Sequence, residues 1–324
     1  MKPKRLLAIL LSLVMTMSLF PATAFAAGDT GQGETMRVFH LDCGRKYFSE
    51  QQIKNLIDEM VQDGYNYLEL AVGNDGLRFL LDDMSLKYSI GASAVEAEEE
   101  EPAVRLMEEE APAEEMPAAA PEARAAGSTE HSFASAAVKN AIKAGNIAYT
   151  TASSGELSET EMNNVISYAK SKGISIIPLV NTPGHMDAIL HAAESLTEVR
   201  ELAYSSSKTT IDVTNPEAVA FTQALLQKYI TYFAGKGCKY FNMGADEYAG
   251  SSVGFDGLQT YGMYDDFIRY MNDVAGMIKG ARMTPMAFND GFYYNGVKNQ
   301  GTIDPSFIVS YWDGGGKNRS AADL

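Results

Sequence analysis

The 324-residue chain is poor in positive charge: 26 lysines and arginines stand against 42 aspartates and glutamates, a formal net charge of −16. Phosphate binding needs a basic face that releases counterions, so a nucleic-acid partner is not expected, and an acidic membrane surface is disfavoured likewise. Histidine is scarce, with four in all. They are dispersed, and neither His-Glu-x-x-His nor paired Cys-x-x-Cys occurs, so no metal site is expected. No Gly-x-Ser-x-Gly elbow seats a nucleophilic serine. Gly31-Gln32-Gly33 lacks the strand and helix of a phosphate loop, and no cofactor is expected.

There are only two cysteines. Cys43 follows the run Val38 to Leu41 and Cys238 precedes the run Tyr240 to Met243. If both runs are parallel strands of one sheet, the thiols lie at opposite ends, roughly 15 Å apart for a five-residue strand. A disulfide spans only ~4.4–6.8 Å between Cα atoms, so two free thiols are expected.

Long apolar runs are also missing. The longest, Leu6 to Phe20, is preceded by Lys2, Lys4 and Arg5 and followed by Ala24-Phe25-Ala26. It falls short of the ~20 residues a spanning helix needs and has the layout of a secretory signal. Residues 1–26 are therefore expected to direct export, to the extracellular space or cell surface, with 27–35 as a short linker.

What the chain does have is 46% hydrophobic residues and 28 glycines, a composition that builds a sizeable core. Residues 92 to about 130 depart from it. There Glu96, Glu98 to Glu101, Glu108 to Glu110, Glu114, Glu115 and Glu122 face only Arg105 and Arg124, in an Ala- and Pro-rich context. Such a stretch cannot bury enough apolar surface to offset its ordering entropy and reads as a solvated surface insertion.

Elsewhere strand and helix patterns alternate. Arg37 to Asp42, Tyr65 to Val72, Ile174 to Val180, Lys239 to Gly244, Thr284 to Phe288 and Phe307 to Tyr311 read as strands. Ser49 to Gln52 and Ser158 to Glu161 read as capping boxes, and Asn215-Pro216 as N-cap and N1 of a third helix. This order specifies a parallel α/β sheet. Polar residues cluster just beyond the strand ends: Asp42 and Arg45, Asn74 and Asp75, Asn181 and His185, Asp246 and Glu247, Asn289 and Asp290, Trp312 and Asp313. A (β/α)8 TIM barrel gathers such ends around one mouth, whereas an open sheet concentrates ligands at one switch point. The expectation is a barrel over 36–324 with about six of its eight βα units visible, incomplete at the C-terminal end. His40 lies along the first strand and is expected in the core.

The sharpest site is Tyr240-Phe241-Asn242-Met243-Gly244-Ala245-Asp246-Glu247, a strand ending in two acids. A glycosidase needs a protonated carboxyl to release the leaving oxygen and a second group to stabilise the sugar cation. Adjacent like charges push one pKa upward. The competing reading is a solvated helix start.

This strand end resembles the Gly-Gly-Asp-Glu signature of glycoside hydrolase family 20, the β-N-acetylhexosaminidases. Leu41-Asp42-Cys43-Gly44-Arg45-Lys46-Tyr47-Phe48 is similar to that family's Leu-Asp-x-x-Arg-x-Phe/Tyr-Phe segment. Val180-Asn181-Thr182-Pro183-Gly184-His185 resembles its Asp-x-Pro-Gly-His turn, and Pro285 to Gly291 its fifth-strand Trp-x-Asp segment. The matches fall in the family's order over about 36 to 320. The stretch Val72 to Met84 looks closer to the lacto-N-biosidase branch.

The resemblance implies a retaining, substrate-assisted mechanism through an oxazolinium ion, acting on terminal β-linked N-acetylhexosamine of a glycan. Catalytic roles fall to Glu247, as general acid and later base, and to Asp246, which holds the acetamido nitrogen. Arg45, Asp75, His185, Asp290 and Trp312 become substrate-binding or supporting residues. Arg45 could instead pair with Asp42. Asn181 stands where the family has Asp, and Phe288 where it has Trp. A glycan-binding protein without turnover is the alternative from another class. A chitinase-like barrel would carry an Asp-x-x-Asp-x-Asp-x-Glu run that 240–247 lack.

Overall fold

Residues 67–74 are largely apolar with no in-out alternation, the pattern of a strand covered on both faces. In the computed structural model they form β2 (Tyr67–Asn74), buried along its whole length. The structure describes residues 35–91, 128–199, 202–204, 207–248, 264–292 and 301–312. The expected export signal, most of the linker and most of the acidic stretch lie outside the described residues.

Five further strands run parallel to β2: β1 (Val38–Asp42), β3 (Ser175–Val180), β4 (Tyr240–Asn242), β5 (Thr284–Phe288) and β6 (Ile308–Ser310). Each pairs with the next, in the order β1 to β6 along the chain. A doubly wound sheet would reverse that order at a switch point, so the winding is that of a TIM barrel. Contacts across non-neighbouring strands record the curl. Glu69 on β2 accepts a hydrogen bond from Asn242 on β4 at 2.6 Å. The rings of His40 on β1 and Phe288 on β5 lie 6.5 Å apart. A flat sheet with strands ~4.8 Å apart could not bring these side chains together.

The helices follow their caps. Both capping boxes form: Ser49 and Gln52 open α1 (Glu50–Gln62), and Ser158 and Glu161 open α3 (Glu159–Ser171). Asn215 caps α5 (Pro216–Gly235) through the backbone N–H groups of Glu217 and Ala218. The long helix α6 (Tyr264–Gly280) buries Phe267, Met271, Val274 and Ile278 at helical spacing. Phe79 sits within 5.1–5.8 Å of the rings of Tyr229, Tyr232 and Phe233 on α5, and Tyr229 Oη donates to the Phe79 carbonyl at 2.6 Å. Burying Phe79 completely stabilises by roughly 1.5–3 kcal/mol.

Two helices go beyond the sequence reading. α2 (Ser135–Tyr149) follows the acidic stretch, and α4 (Asp187–Thr197) starts inside the His185 turn, where neither has a side-chain N-cap to announce it. They pack closely at Gly145, where a Cβ would stand 2.5 Å from the Ala188 carbonyl oxygen. An antiparallel hairpin, Leu86–Ile90 with Thr129–Phe133, was also unforeseen. Ile90 faces Thr129, so the acidic stretch begins and ends at neighbouring points, and residues 129–130, expected inside it, belong to a strand. No helix among the described residues is long and apolar enough to cross a membrane.

Cys43 and Cys238 are both free. Burial pushes both thiols up, Cys238 to about 12, which leaves them protonated and unreactive at neutral pH.

Gly145→Ala is expected to cost about 1–3 kcal/mol, because an overpacked helix crossing must separate. Scanning calorimetry checks this, and an unchanged Tm would show that the crossing yields freely.

Candidate active site

The turns after β2, β3 and β4 are built from unusual backbone. Of six non-glycine residues with positive φ among those described, four lie here: Asp75 (58°), His185 (50°), Ala245 (64°) and Glu247 (49°). Each such residue costs of order 1–3 kcal/mol and persists only where its surroundings over-determine it. The surroundings do so. Asp75 N–H donates to the His185 carbonyl at 2.6 Å and Ala188 N–H to the Asp75 carbonyl at 2.8 Å. Ala245 N–H donates to Asn181 Oδ1 at 3.1 Å, and Phe288 N–H to the Gly244 carbonyl at 2.7 Å. Gly244, at φ 75°, admits no side chain: a Cβ would stand 2.0 Å from Asn181 Oδ1.

On this frame Arg45, Asp75, His185, Asp246 and Glu247 come together. Arg45 Nε donates to Asp75 Oδ2 at 2.7 Å, and its Nη1 to Asp42 Oδ2 at 3.1 Å. The pairing with Asp42 thus exists beside a second one with Asp75. His185 bridges the pair to the acids: Nδ1 is 2.9 Å from Asp75 Oδ1, and Nε2 is 3.2 Å from Glu247 Oε2 and 3.6 Å from Asp246 Oδ2. Arg45 Nη2 also approaches Nδ1 at 3.1 Å. Because Nδ1 carries the proton given to Asp75, that approach is not a second hydrogen bond.

Burial opposes charge on His185, but the Asp75 hydrogen bond and the charges of Asp246 and Asp75 outweigh it and raise its pKa above 6.5. Burial likewise acts against the Asp75 carboxylate, yet His185 and Arg45 hold it down at about 2. The adjacent acids divide. Burial drives the Asp246 carboxyl upward, with Glu247 contributing least of the named causes. Glu247 is 58% exposed at its side chain.

Asn181 replaces the expected aspartate without breaking the network. Its Nδ2 donates to Asp246 Oδ1 at 2.6 Å and to Asn74 Oδ1 at 3.1 Å, while Asn74 Nδ2 donates to Asp42 Oδ2 at 2.9 Å. An aspartate there could not donate to Asp246 while ionised. Trp312 is half-buried, and its backbone N–H donates to Asn289 Oδ1 at 2.5 Å. Asp290 lies in the short 3-10 turn Asn289–Gly291, and its side chain lies outside the described residues. Phe288 meets the His40 ring edge-on.

Sequence reasoning missed three participants. Asp187, two residues beyond His185, is half-buried near Asp75, and burial with the Asp75 charge pushes its carboxyl up to about 6. Tyr149, at the end of α2, has its hydroxyl pKa raised by burial and by the nearby Asp75 charge; nothing local marks it. His40 is not core: its side chain is 41% exposed and pairs with Glu69 at 2.7 Å. No cluster among the described residues has the ligands for a metal ion.

A pH dependence follows from His185. Its folded pKa is raised, so its contribution to stability is complete below the unfolded value of 6.5 and lost as pH rises through the higher folded value. The stability gap between the wild type and His185→Gln should therefore shrink from pH 6 to pH 9. Urea titration across that range reads it, and a gap that widens would reverse the assignment.

The family model described as "Glycosyl hydrolase family 20, catalytic domain" matches residues 35–323. Lacto-N-biosidase of Bifidobacterium bifidum is 31% identical over 170 residues, 48% of this chain and 14% of that protein. Beta-hexosaminidase subunit A1 of Dictyostelium discoideum is 25% identical over 170 residues, 50% of this chain and 30% of that protein. A solved structure of the tandem catalytic modules of the pneumococcal exo-β-D-N-acetylglucosaminidase StrH superposes with a TM-score of 0.70 at 38% identity, covering 89% of this chain and 61% of that one. The chain spans less than two thirds of each of these relatives. With the family model matched along nearly the whole described fold, the chain belongs to glycosyl hydrolase family 20.

Proposed function

We propose that the chain is a glycosidase that removes terminal β-linked N-acetylglucosamine from glycans, with retention and with the substrate's own acetamido oxygen as nucleophile. The observation that carries this reading is the division of the acids: Asp246 buried and bonded to Asn181, Glu247 exposed and 3.2 Å from His185 Nε2. A carboxylate nucleophile is then unnecessary, as in the substrate-assisted glycosidases. Asp246 accepts the acetamido N–H and orients the carbonyl oxygen toward the anomeric carbon. Glu247 gives its proton to the leaving glycosidic oxygen as that bond breaks. In the second half it takes a proton from the water that opens the oxazolinium ring. Asp75 keeps His185 aligned beside Glu247.

Arg45 spends one N–H on Asp42 and one on Asp75, which leaves further N–H groups of the guanidinium to donate to ring hydroxyls. Trp312 supplies an apolar wall to the sugar. The N-terminal signal pattern supports action outside the cell. The 38% identity to an exo-β-D-N-acetylglucosaminidase favours single-sugar release. Release of a disaccharide is the second reading, favoured by the 31% identity to a lacto-N-biosidase.

The test sets a chromogenic β-N-acetylglucosaminide beside the matching lacto-N-bioside. Glu247→Gln should lower kcat by about 10²–10⁴-fold while leaving sugar binding intact. Cleavage of only the bioside would select the second reading. Binding without turnover in the wild type would make the protein a glycan-binding module instead.

A further inference from the structure

Beneath the acids, on the concave side of the sheet, lies a polar layer that the mechanism above does not use. Glu69 on β2 is almost fully buried. One carboxylate oxygen meets His40 Nδ1 on β1 at 2.7 Å, and the other accepts from Asn242 Nδ2 on β4 at 2.6 Å. Asn242 is completely buried, and its Oδ1 accepts the Gly244 backbone N–H at 2.8 Å. A buried carboxylate is costly unless each oxygen is satisfied, so this one needs a reason to be there.

The reason follows from the amide's two ends. An asparagine can flip and present Nδ2 where Oδ1 was. With Glu69 accepting from Nδ2, only the orientation with Oδ1 toward Gly244 N–H is satisfied. Gly244 opens the segment in which Gly244, Ala245 and Glu247 all have positive φ. That segment carries both acids. Its backbone is therefore held from two sides, by Asn181 Oδ1 at Ala245 and by Asn242 Oδ1 at Gly244.

We propose that Glu69 is a positioning residue for catalysis: by fixing the Asn242 amide against Gly244 N–H, it sets the turn that aims Asp246 and Glu247. His40 completes the satisfaction of the Glu69 carboxylate from β1. This inference rests on the glycosidase reading and adds a residue two strands away from the acids.

The experiment measures kcat and KM of the full chain on 4-nitrophenyl β-N-acetylglucosaminide, with Tm recorded in parallel. Glu69→Ala is expected to lower kcat at least tenfold with a smaller change in KM, since both acids are misaimed while Arg45 and Trp312 keep their places. Glu69→Gln keeps an oxygen for Asn242 Nδ2 and should recover kcat to within about threefold of wild type. Unchanged kcat in Glu69→Ala, or equal loss in both variants, would overturn the proposal. A merely structural role would lower Tm without this split between the variants. If Glu69→Ala does not fold, Asn242→Asp carries the test: it keeps the acceptor for Gly244 but sets a carboxylate against Glu69, so kcat should fall. Combining Asn242→Asp with Glu69→Gln sets an amide donor against the new carboxylate, and kcat should return; no return would overturn the proposal. A wild type without turnover would instead remove the glycosidase reading, and this inference with it.

Discussion

The side-chain amide of Asn181 ties three consecutive strand ends together. It bonds Asn74 at the end of β2, Ala245 and Asp246 beyond β4, and itself sits just beyond β3. A donor and an acceptor on one planar group suit this place, because it must receive a backbone N–H and also offer one to a carboxylate. Remove it and three turns with left-handed backbone lose their common tie. The strain in those turns is thus sustained by hydrogen bonds between elements distant in sequence, which is how functional rims keep unfavourable backbone.

The same logic divides the legible from the illegible. Helix starts were readable because a capping box is complete within four residues, and Ser49, Ser158 and Asn215 each carry their own signal. The parallel strands were readable from apolar runs bounded by turns, and the rim acids from their place at strand ends. α2 and α4 were not, since each begins without a capping side chain and packs through Gly145 against Ala188, a fit seen only in three dimensions. The hairpin next to the acidic stretch was hidden for a related reason: its strands pair across that stretch.

Within the site, the residues that carry a motif were legible and those that support them were not. His185 stands in a Pro-Gly-His turn, and Asp246 and Glu247 end an apolar strand. Glu69 and Asn242 are 173 positions apart, and each alone resembles a stray polar residue in a strand. His40 misled for the same reason, as its partner Glu69 is its register neighbour on another strand. Only the pairing of β1 with β2, and the curl that faces β2 toward β4, turns three unpromising residues into one network.

The backbone beyond β4 also explains how two adjacent like acids come to differ. In an extended strand, successive side chains point to opposite faces. Here the strand has ended, and positive φ at Ala245 and at Glu247 re-aims each side chain separately. Asp246 turns back to the Asn181 amide and is desolvated, while Glu247 turns out to the mouth beside His185. Charge repulsion alone would leave open which acid is buried. Backbone geometry decides it, by allotting burial to one and solvent to the other, so the chemical difference between the two carboxyls originates in the same turn that Asn181 and Asn242 hold.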